Sequence, residues 1–162
     1  MSSFISLAAV VLAQQIQSFT ISLQAPVTEA TPLFGSVREA EWAIQWVPRF
    51  VNPAEGAQRE GVVFTTQDHQ GRKRVWVMTE YDVKEGRVSY AVVTPDFAVT
   101  TLTIRLKPDG NRRSKATITY YCSAMVPEAN GEVNQHDRQW AEQQRIHWER
   151  AINAALAKGR QS

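Results

Sequence analysis

The chain has 162 residues, which is enough for one domain that buries a core without disulfide bonds. Its net charge of +2 is too small to indicate a nucleic-acid partner, and its single cysteine, Cys122, excludes an intramolecular disulfide and a cysteine-based zinc cluster. Because no apolar run is long enough to cross a bilayer, we expect no integral membrane span.

The amino-terminal segment has two interpretations. Residues 4–13 form a ten-residue, mainly apolar run, and Val11 and Ala13 have the sizes that a signal peptidase accepts. However, no Lys or Arg precedes the run, whereas a secretory leader normally begins with one. We therefore divide the chain into residues 1–15, an extension or a signal peptide, and residues 16–159, a single domain. We favour a cytoplasmic protein over an exported one.

A strand and two short helices open the predicted domain. Residues 17–24 alternate between apolar and hydroxyl-bearing side chains, which predicts a half-buried strand. Pro26 then suits the start of a first short helix. The pattern over residues 37–46 predicts a second short helix, which Pro48 closes.

After residue 48 the pattern changes from helical to alternating. Short turn signals separate six further strands, and such short links imply an antiparallel meander. The last strand has an apolar face and a polar face, so one side of the sheet is covered and the other is wet. Residues 75–81 carry bulky side chains on both faces, and the pattern leaves their inward face open. The six predicted strands are residues 49–52, 61–67, 75–81, 88–94, 99–107 and 116–125.

Residues 132–158 predict a long carboxy-terminal helix around which the domain is built. At the helical step of 100° per residue, Trp140, Trp148, Ile152 and Leu156 fall on one side. A helix of this length spans about 40 Å, and its apolar side needs a cover. We expect a curved antiparallel sheet to cover it, with a pocket between the two.

The order of elements and several short motifs resemble the SRPBCC superfamily, whose helix-grip fold is shared by START lipid-transfer domains, birch-pollen (Bet v1-like) allergens and polyketide cyclases. The resemblance spans residues 16–159. Within the superfamily, the chain is most similar to uncharacterised bacterial members that are described as cyclase-like or lipid-binding. Residues 19–27, 46–48, 61–64, 76–82, 87–90 and 151–159 carry it.

The resemblance implies an α+β fold in which a curved seven-stranded antiparallel sheet wraps a long carboxy-terminal helix, with two short helices after the first strand. It also implies a deep hydrophobic cavity between sheet and helix. The superfamily has no universal catalytic residues, so the resemblance assigns none to this chain.

Aromatic side chains on a curved sheet and a crossing helix often leave a cavity between them. We predict that a small hydrophobic or amphipathic ligand occupies it, with Trp46 at the entrance; for each lining residue, plain core packing is the alternative. The predicted ligand-binding residues are Trp46, Phe64, Trp76, Met78, Tyr90, Tyr120, Trp140, Gln144 and Trp148.

Gln144 is the most informative of these residues because it lies between two tryptophans on the apolar side of the helix. Leaving a buried amide unpaired costs about 1–3 kcal/mol, so it needs partners. One hypothesis is that it binds a polar group of the ligand. The other is that it bonds to a backbone carbonyl or to water.

The three histidines do not predict a metal site. His136 and His147 lie eleven residues apart, which is about 16 Å along a helix and too far for one ion. We place both, together with His69, at the surface or the edge of the cavity, and we predict no metal and no cofactor. The basic runs at residues 72–74 and 112–115 lie beside turn signals, which favours solvated hairpin ends.

Three functions are weighed. The leading one is binding of a lipid-like or polyketide-like molecule in the cavity. The second is a cyclase-like, dehydratase-like or hydrolase-like enzyme, which requires an ionisable side chain facing the cavity; Glu80 is the candidate because it is the only acid near the apolar centre of a strand. The third is a protein-interaction module or a homodimer formed through Trp76 on the outer sheet face.

Overall fold

The computed structural model describes residues 10–160 and shows one seven-stranded antiparallel sheet in the order β1-β7-β6-β5-β4-β3-β2. Strands β2 to β7 form the predicted meander, and β1 pairs with β7. The helix-grip fold class is therefore confirmed. The strands are β1 Gln14–Leu23, β2 Arg49–Asn52, β3 Val63–Gln67, β4 Lys73–Asp82, β5 Arg87–Thr94, β6 Ala98–Pro108 and β7 Ser114–Ala124.

A bulge in β4 resolves which of its side chains point inward. Met78 pairs with Tyr90 and Glu80 pairs with Ser89, so the residue between them on β4 has no partner. The extra residue shifts the alternation, which lets Trp76, Met78 and Tyr81 all pack on the core. Trp76 therefore faces inward, so it does not seed the exposed apolar patch that a protein-interaction module would need.

The bulge also turns Glu80 to the outer face of the sheet. Its carboxylate accepts hydrogen bonds from Arg105 at 2.6 Å and from the Ser89 hydroxyl at 3.2 Å, and it pairs with Arg87 at 3.1 Å. Glu80 is thus a member of a surface ion-pair network. The prediction that it supplies an ionisable group to the cavity does not hold.

The segment after β1 is less helical than predicted. Helix α1, Val27–Ala30, runs directly into the 3₁₀ helix Thr31–Phe34, and a second 3₁₀ helix covers only Arg38–Glu41. The predicted helix over residues 37–46 stops early because Trp42 leaves the helical conformation with φ of −133°, and Gln45 is left-handed with φ of 75°.

The long helix starts six residues later than predicted. Asp137 has an extended backbone, and its carboxylate accepts the Trp140 N–H at 2.8 Å, which caps the helix. Residues 132–134 instead belong to α2, Asn130–Asn134, which follows the 3₁₀ helix Pro127–Ala129. Helix α3 is therefore Arg138–Gly159, with 22 residues.

Side chains of α3 bind the free edge of the sheet. The Ser22 N–H donates to Glu149 at 2.7 Å, and the Gln24 N–H donates to Asn153 at 2.8 Å. The Asn153 amide also donates to the Ser22 carbonyl at 2.9 Å. These bonds satisfy backbone groups of β1 that no strand pairs, and they fix the helix along this edge.

Most of the amino-terminal apolar run, residues 4–9, lies outside the described residues, so its cleavage stays a prediction. Just before β1, the Ala13 N–H donates to the Asn130 side chain at 2.7 Å, and the Ala13 carbonyl accepts the Ala124 N–H at 2.8 Å. Within residues 10–160, no helix has the length and apolarity needed to cross a membrane.

Candidate ligand-binding site

The middle of the space between α3 and the sheet is filled by side chains. The Trp148 ring lies 4.9 Å from Trp42, 5.8 Å from Phe19 and 6.3 Å from Phe34, measured between ring centroids. Trp148 is only 8% exposed, and the Trp42 indole N–H donates to the Leu33 carbonyl at 2.6 Å. We call these four rings the closed cluster, because they pack against one another in the core.

A second aromatic group sits over β3, β4 and β5. Phe64 stacks on Trp76 at 5.6 Å, and Trp46 packs edge-on to both rings. Phe64, Met78 and Tyr90 are no more than 1% exposed. These three predicted ligand-binding residues therefore lie in the core. The Trp46 indole N–H is anchored to the Ser36 carbonyl at 2.8 Å.

A partly open cavity of about 90 Å³ lies beyond these groups, between the inner face of the sheet and α2. Trp76 and Tyr120 are the two predicted ligand-binding residues that line it. Tyr120 is also the link to α3, because its ring lies 5.0 Å from Trp140 and 6.4 Å from Trp148. The lining residues are Arg74, Trp76, Val92, Thr94, Ala98, Thr100, Leu102, Tyr120, Cys122, Glu132, Val133 and His136.

The cavity has one polar end, formed by Arg74, Glu132 and His136. Glu132 pairs with Arg74 at 3.9 Å and with Arg72, which also binds Asp68 at 2.6 Å. The basic run at residues 72–74 therefore fastens the β3–β4 hairpin to α2, a role that its turn context did not indicate. As expected, His136 lies at the cavity edge, where its ring packs 4.6 Å from Trp140.

The Tyr120 hydroxyl has no hydrogen-bond partner among residues 10–160, although the ring is packed on three sides. Burial raises the pKa of Tyr120 well above its ordinary value, the charge of Glu39 raises this pKa further, and Arg74 opposes the shift. Tyr120 is therefore a neutral phenol whose O–H is free to bond to a guest.

Glu39 is the residue that sequence reasoning missed. It lies in the 3₁₀ helix Arg38–Glu41, and within the described part of the chain its carboxyl group has neither a hydrogen bond nor an ion pair. Burial raises its pKa to about 8, and its charge raises the pKa of Tyr90 and of Tyr120. No pattern reveals it, because the run Arg-Glu-Ala-Glu looks like a solvated surface.

The accessible surface of Glu39 gives a second view of its surroundings. The residue is only partly buried by surface area, yet its carboxyl group is desolvated. No unpartnered polar atom among the described residues is sealed from a water-sized sphere. The Glu39 oxygens are therefore not sealed from solvent, although the surrounding protein disfavours their charged form.

The Gln144 side chain also has no hydrogen-bond partner among residues 10–160. It is half-buried on α3, between Trp140 and Trp148, and both of these rings contact Tyr120. The helical step places it on the same flank of α3 as these two tryptophans. The structure thus brings Trp140 to Tyr120 and places Gln144 on the same flank of α3, whereas Trp46, Phe64, Met78 and Tyr90 do not line the cavity.

The outer side of the sheet carries a larger groove of about 930 Å³ that is open to solvent. Lys84, Arg87, Arg105, Lys107 and Lys115 line it together with Thr20 and Leu106. The groove is more open to solvent than the cavity beside Tyr120, and cationic side chains surround it. We therefore take the more recessed cavity beside Tyr120 as the candidate site.

By sequence, no protein-family model and no curated protein matches this chain. By structure, it is similar to norcoclaurine synthase from Thalictrum flavum in complex with dopamine and hydroxybenzaldehyde, with 10% identity and a TM-score of 0.64, covering 97% of this chain and 98% of that one.

Two further structures are similar over most of their length. Ara h 8.0201 has 13% identity and a TM-score of 0.58, covering 90% of this chain and 99% of that one. The Zhui aromatase/cyclase from a Streptomyces species has 11% identity and a TM-score of 0.61, covering 88% and 93%. At these identities the likeness shows a shared fold and no shared chemistry.

Proposed function

We propose that this chain, which has the helix-grip fold of the SRPBCC superfamily, binds a small amphipathic molecule in the cavity beside Tyr120. One observation carries the proposal: a recessed space is lined by apolar side chains such as Trp76 and Leu102, and also by the charged Arg74 and Glu132. Such a space holds the apolar body of a guest and orients its polar group.

The size of the cavity favours a compact guest over a long acyl chain. A cavity of about 150 Å³ is known to hold benzene, and the present one is about 90 Å³. A single-ring guest therefore requires the polar end to widen. The Glu132–Arg74 contact, at 3.9 Å, is the loose part of the wall that can give way.

Proteins of the same fold support a compact aromatic guest. The norcoclaurine synthase structure holds dopamine and hydroxybenzaldehyde, both single-ring compounds, and another neighbour is an aromatase/cyclase. A polyketide-like or other aromatic amphiphile is therefore the preferred ligand class for this chain. Turnover of such a molecule is the second candidate function, and the ionisable side chains of Glu132 and His136 in the cavity lining favour it.

Two experiments test binding. Native mass spectrometry of the freshly purified protein should show a retained small molecule, or saturable binding of added p-cresol. The variant Ala98→Phe places a ring in the cavity and should weaken p-cresol binding at least tenfold, whereas Val99→Phe, on the opposite face of β6, should change it less than twofold. Equal p-cresol affinity in both variants would overturn the proposed site.

The homodimer, the lack of a nucleic-acid partner and the cytoplasmic location stay predictions. A homodimer is checked by light scattering, and the absence of nucleic-acid binding by a mobility-shift assay at several salt concentrations. The cytoplasmic location and the division at residues 15 and 16 are checked by sequencing the amino terminus of protein from its natural host.

A further inference from the structure

We propose that His136 accepts a hydrogen bond from the hydroxyl group of a bound guest, so that the cavity selects phenols over aromatic molecules without an O–H donor. This inference rests on the proposed binding function, and it adds the residue that anchors the guest and the chemical class of the ligand. Two observations carry it: His136 lines the cavity, and its ring makes a hydrogen bond that leaves one nitrogen as a free acceptor.

His136 lies in the short turn between α2 and α3, and both sides of this turn are held by hydrogen bonds. The His136 backbone N–H donates to the Val133 carbonyl of α2 at 3.1 Å. The next residue, Asp137, caps α3 by accepting the Trp140 N–H at 2.8 Å. The backbone that carries the imidazole is therefore fixed, which is what a defined binding group requires.

The hydrogen bond of the His136 ring determines which of its two nitrogens carries hydrogen. Nδ1 lies 3.1 Å from the Glu132 backbone carbonyl oxygen, and a carbonyl oxygen can only accept. Nδ1–H is therefore the donor, and in the neutral ring Nε2 is left with a lone pair. The bond to Glu132 caps the end of α2, but this structural role makes no use of Nε2.

Nε2 of His136 is an acceptor that a small molecule can reach. It has no hydrogen-bond partner among residues 10–160, and the side chain is half-buried. Among these residues, no half-buried or buried side chain has an unpartnered polar atom that is sealed from solvent. Nε2 is therefore accessible, and its hydrogen bond is completed by water or by a guest.

Aromatic packing connects His136 to the apolar wall of the cavity. The His136 ring lies 4.6 Å from the Trp140 ring, which in turn lies 5.0 Å from the Tyr120 ring, measured between centroids. Tyr120 and His136 both line the cavity. One connected group of rings thus links the acceptor nitrogen to the surface on which an aromatic guest packs.

The charged neighbours of His136 are engaged with one another. Arg74 approaches the Glu132 carboxylate at 3.9 Å, and Arg72 binds the same carboxylate and also Asp68, the latter at 2.6 Å. Neither guanidinium group donates to Nε2. A guest with an O–H group can replace the water at Nε2 and keep its hydrogen bond, whereas a hydrocarbon guest leaves Nε2 unpaired.

The first test observes the His136 nitrogens directly. Wild-type protein labelled with nitrogen-15 in histidine is studied by NMR at pH 8, where a free imidazole is neutral. We expect Nδ1 to carry the hydrogen, and we expect saturating p-cresol to move the Nε2 signal toward that of a hydrogen-bonded nitrogen. p-Xylene has the same size but no O–H group, so it should not produce this change.

Two NMR results would overturn the proposal. One is a His136 ring in which Nε2, and not Nδ1, carries the hydrogen in the free protein. The other is an Nε2 signal that stays in place when p-cresol is saturating. Both are read from wild-type protein, so they do not depend on whether a variant folds.

The second test uses the ratio of p-cresol affinity to p-xylene affinity, which cancels effects that both guests share. His136→Asn keeps a donor at the position of Nδ1 but has no atom at that of Nε2, so the ratio should fall about fivefold. His136→Gln can place its amide oxygen at the position of Nε2 and should keep most of the ratio. His147→Asn changes an exposed histidine on α3 and should leave the ratio unchanged.

The outcomes separate the anchor from the proposed function. A wild-type ratio in His136→Asn overturns the role of His136, while p-cresol binding and its weakening in Ala98→Phe still support the cavity. A ratio that falls in Glu132→Gln but not in His136→Asn assigns the anchor to the Glu132 carboxylate and also overturns the proposal. If p-cresol does not bind and no molecule is retained on purification, the proposed function itself fails.

Discussion

The two ends of the space between α3 and the sheet differ in whether their polar atoms have hydrogen-bond partners within the protein. In the closed cluster around Trp148, the buried Trp42 N–H has a carbonyl acceptor, and the aromatic rings meet at centroid distances of 4.9 to 6.5 Å. Beside Tyr120, by contrast, the Tyr120 hydroxyl and the Gln144 amide have no partner within residues 10–160. The polar group of the closed cluster is thus satisfied within the protein, whereas these two are not.

This difference assigns separate tasks to two parts of one helix. The carboxy-terminal two thirds of α3 close the core through Trp148, Ile152 and Leu156, all of them buried. Its first turns, with Trp140 and Gln144, cover the sheet only loosely. Stability and ligand binding should therefore respond to different substitutions along the same helix.

The largest expected effect is on stability. Replacing Trp148 with Ala removes a ring that contacts four other aromatic side chains, and it should lower the free energy of unfolding by about 3–5 kcal/mol. Urea denaturation at neutral pH measures this loss. The matched change Trp140→Ala should cost less than half as much, because Trp140 is only half-buried. Equal losses would contradict the contrast between the two ends.

The next effect is a pH dependence of stability that comes from Glu39. The pKa of the Glu39 carboxyl group is 4.5 in the unfolded chain and about 8 in the folded protein. At a pH between these two values, the unfolded state has lost the Glu39 proton and the folded state has kept it. Stability therefore falls as pH rises from about 4.5 to 8, with a slope of at most about 1.4 kcal/mol per pH unit, and it levels off above that range.

Comparison of urea midpoints isolates this contribution of Glu39. The difference in stability between Glu39→Gln and wild type should grow with pH across this window, because only the wild type carries the titrating group. The variant Glu41→Gln, whose carboxyl pKa is lowered by Arg38, should show no such growth. A constant difference between Glu39→Gln and wild type from pH 5 to pH 8 would mean that Glu39 is solvated.

The smallest effect on stability is expected at the polar end of the cavity. Glu132→Gln weakens the pairs with Arg72 and Arg74, both partly exposed, and should cost about 0–1 kcal/mol. If this end is the entrance, the same change should speed p-cresol exchange in NMR line-shape measurements while stability barely moves. Unchanged exchange would place the entrance elsewhere.

Much of the fold follows from local patterns in the sequence. Alternation in residues such as Ile118 and Tyr120 gives the strands, and helical spacing puts Trp148 and Gln144 on one side of α3. The β4 bulge leaves no such trace, because one extra residue beside Met78 only blurs the alternation. The sequence pattern predicts too early a start for α3, because the apolar Val133 continues the helical spacing. The helix itself begins after its cap, Asp137.

The site was harder to predict than the fold. Bulky aromatic residues such as Phe64 and Tyr90 have the same pattern whether they pack together or line a cavity, and the difference depends on tertiary fit. Glu39 lies between charged neighbours, so its sequence context indicates solvent. Its burial arises only because the 3₁₀ helix that carries it folds against the aromatic core, which no local signal encodes.

We propose that a small molecule binds beside Tyr120 and does not bind in the open groove on the outer face of the sheet. Intermolecular NOEs between the ring protons of bound p-cresol and the protein test this most directly. We expect NOEs from p-cresol to the rings of Tyr120 and Trp76, and we expect these NOEs to disappear in the Ala98→Phe variant. NOEs confined to groove residues such as Val27 and Leu106 would contradict it.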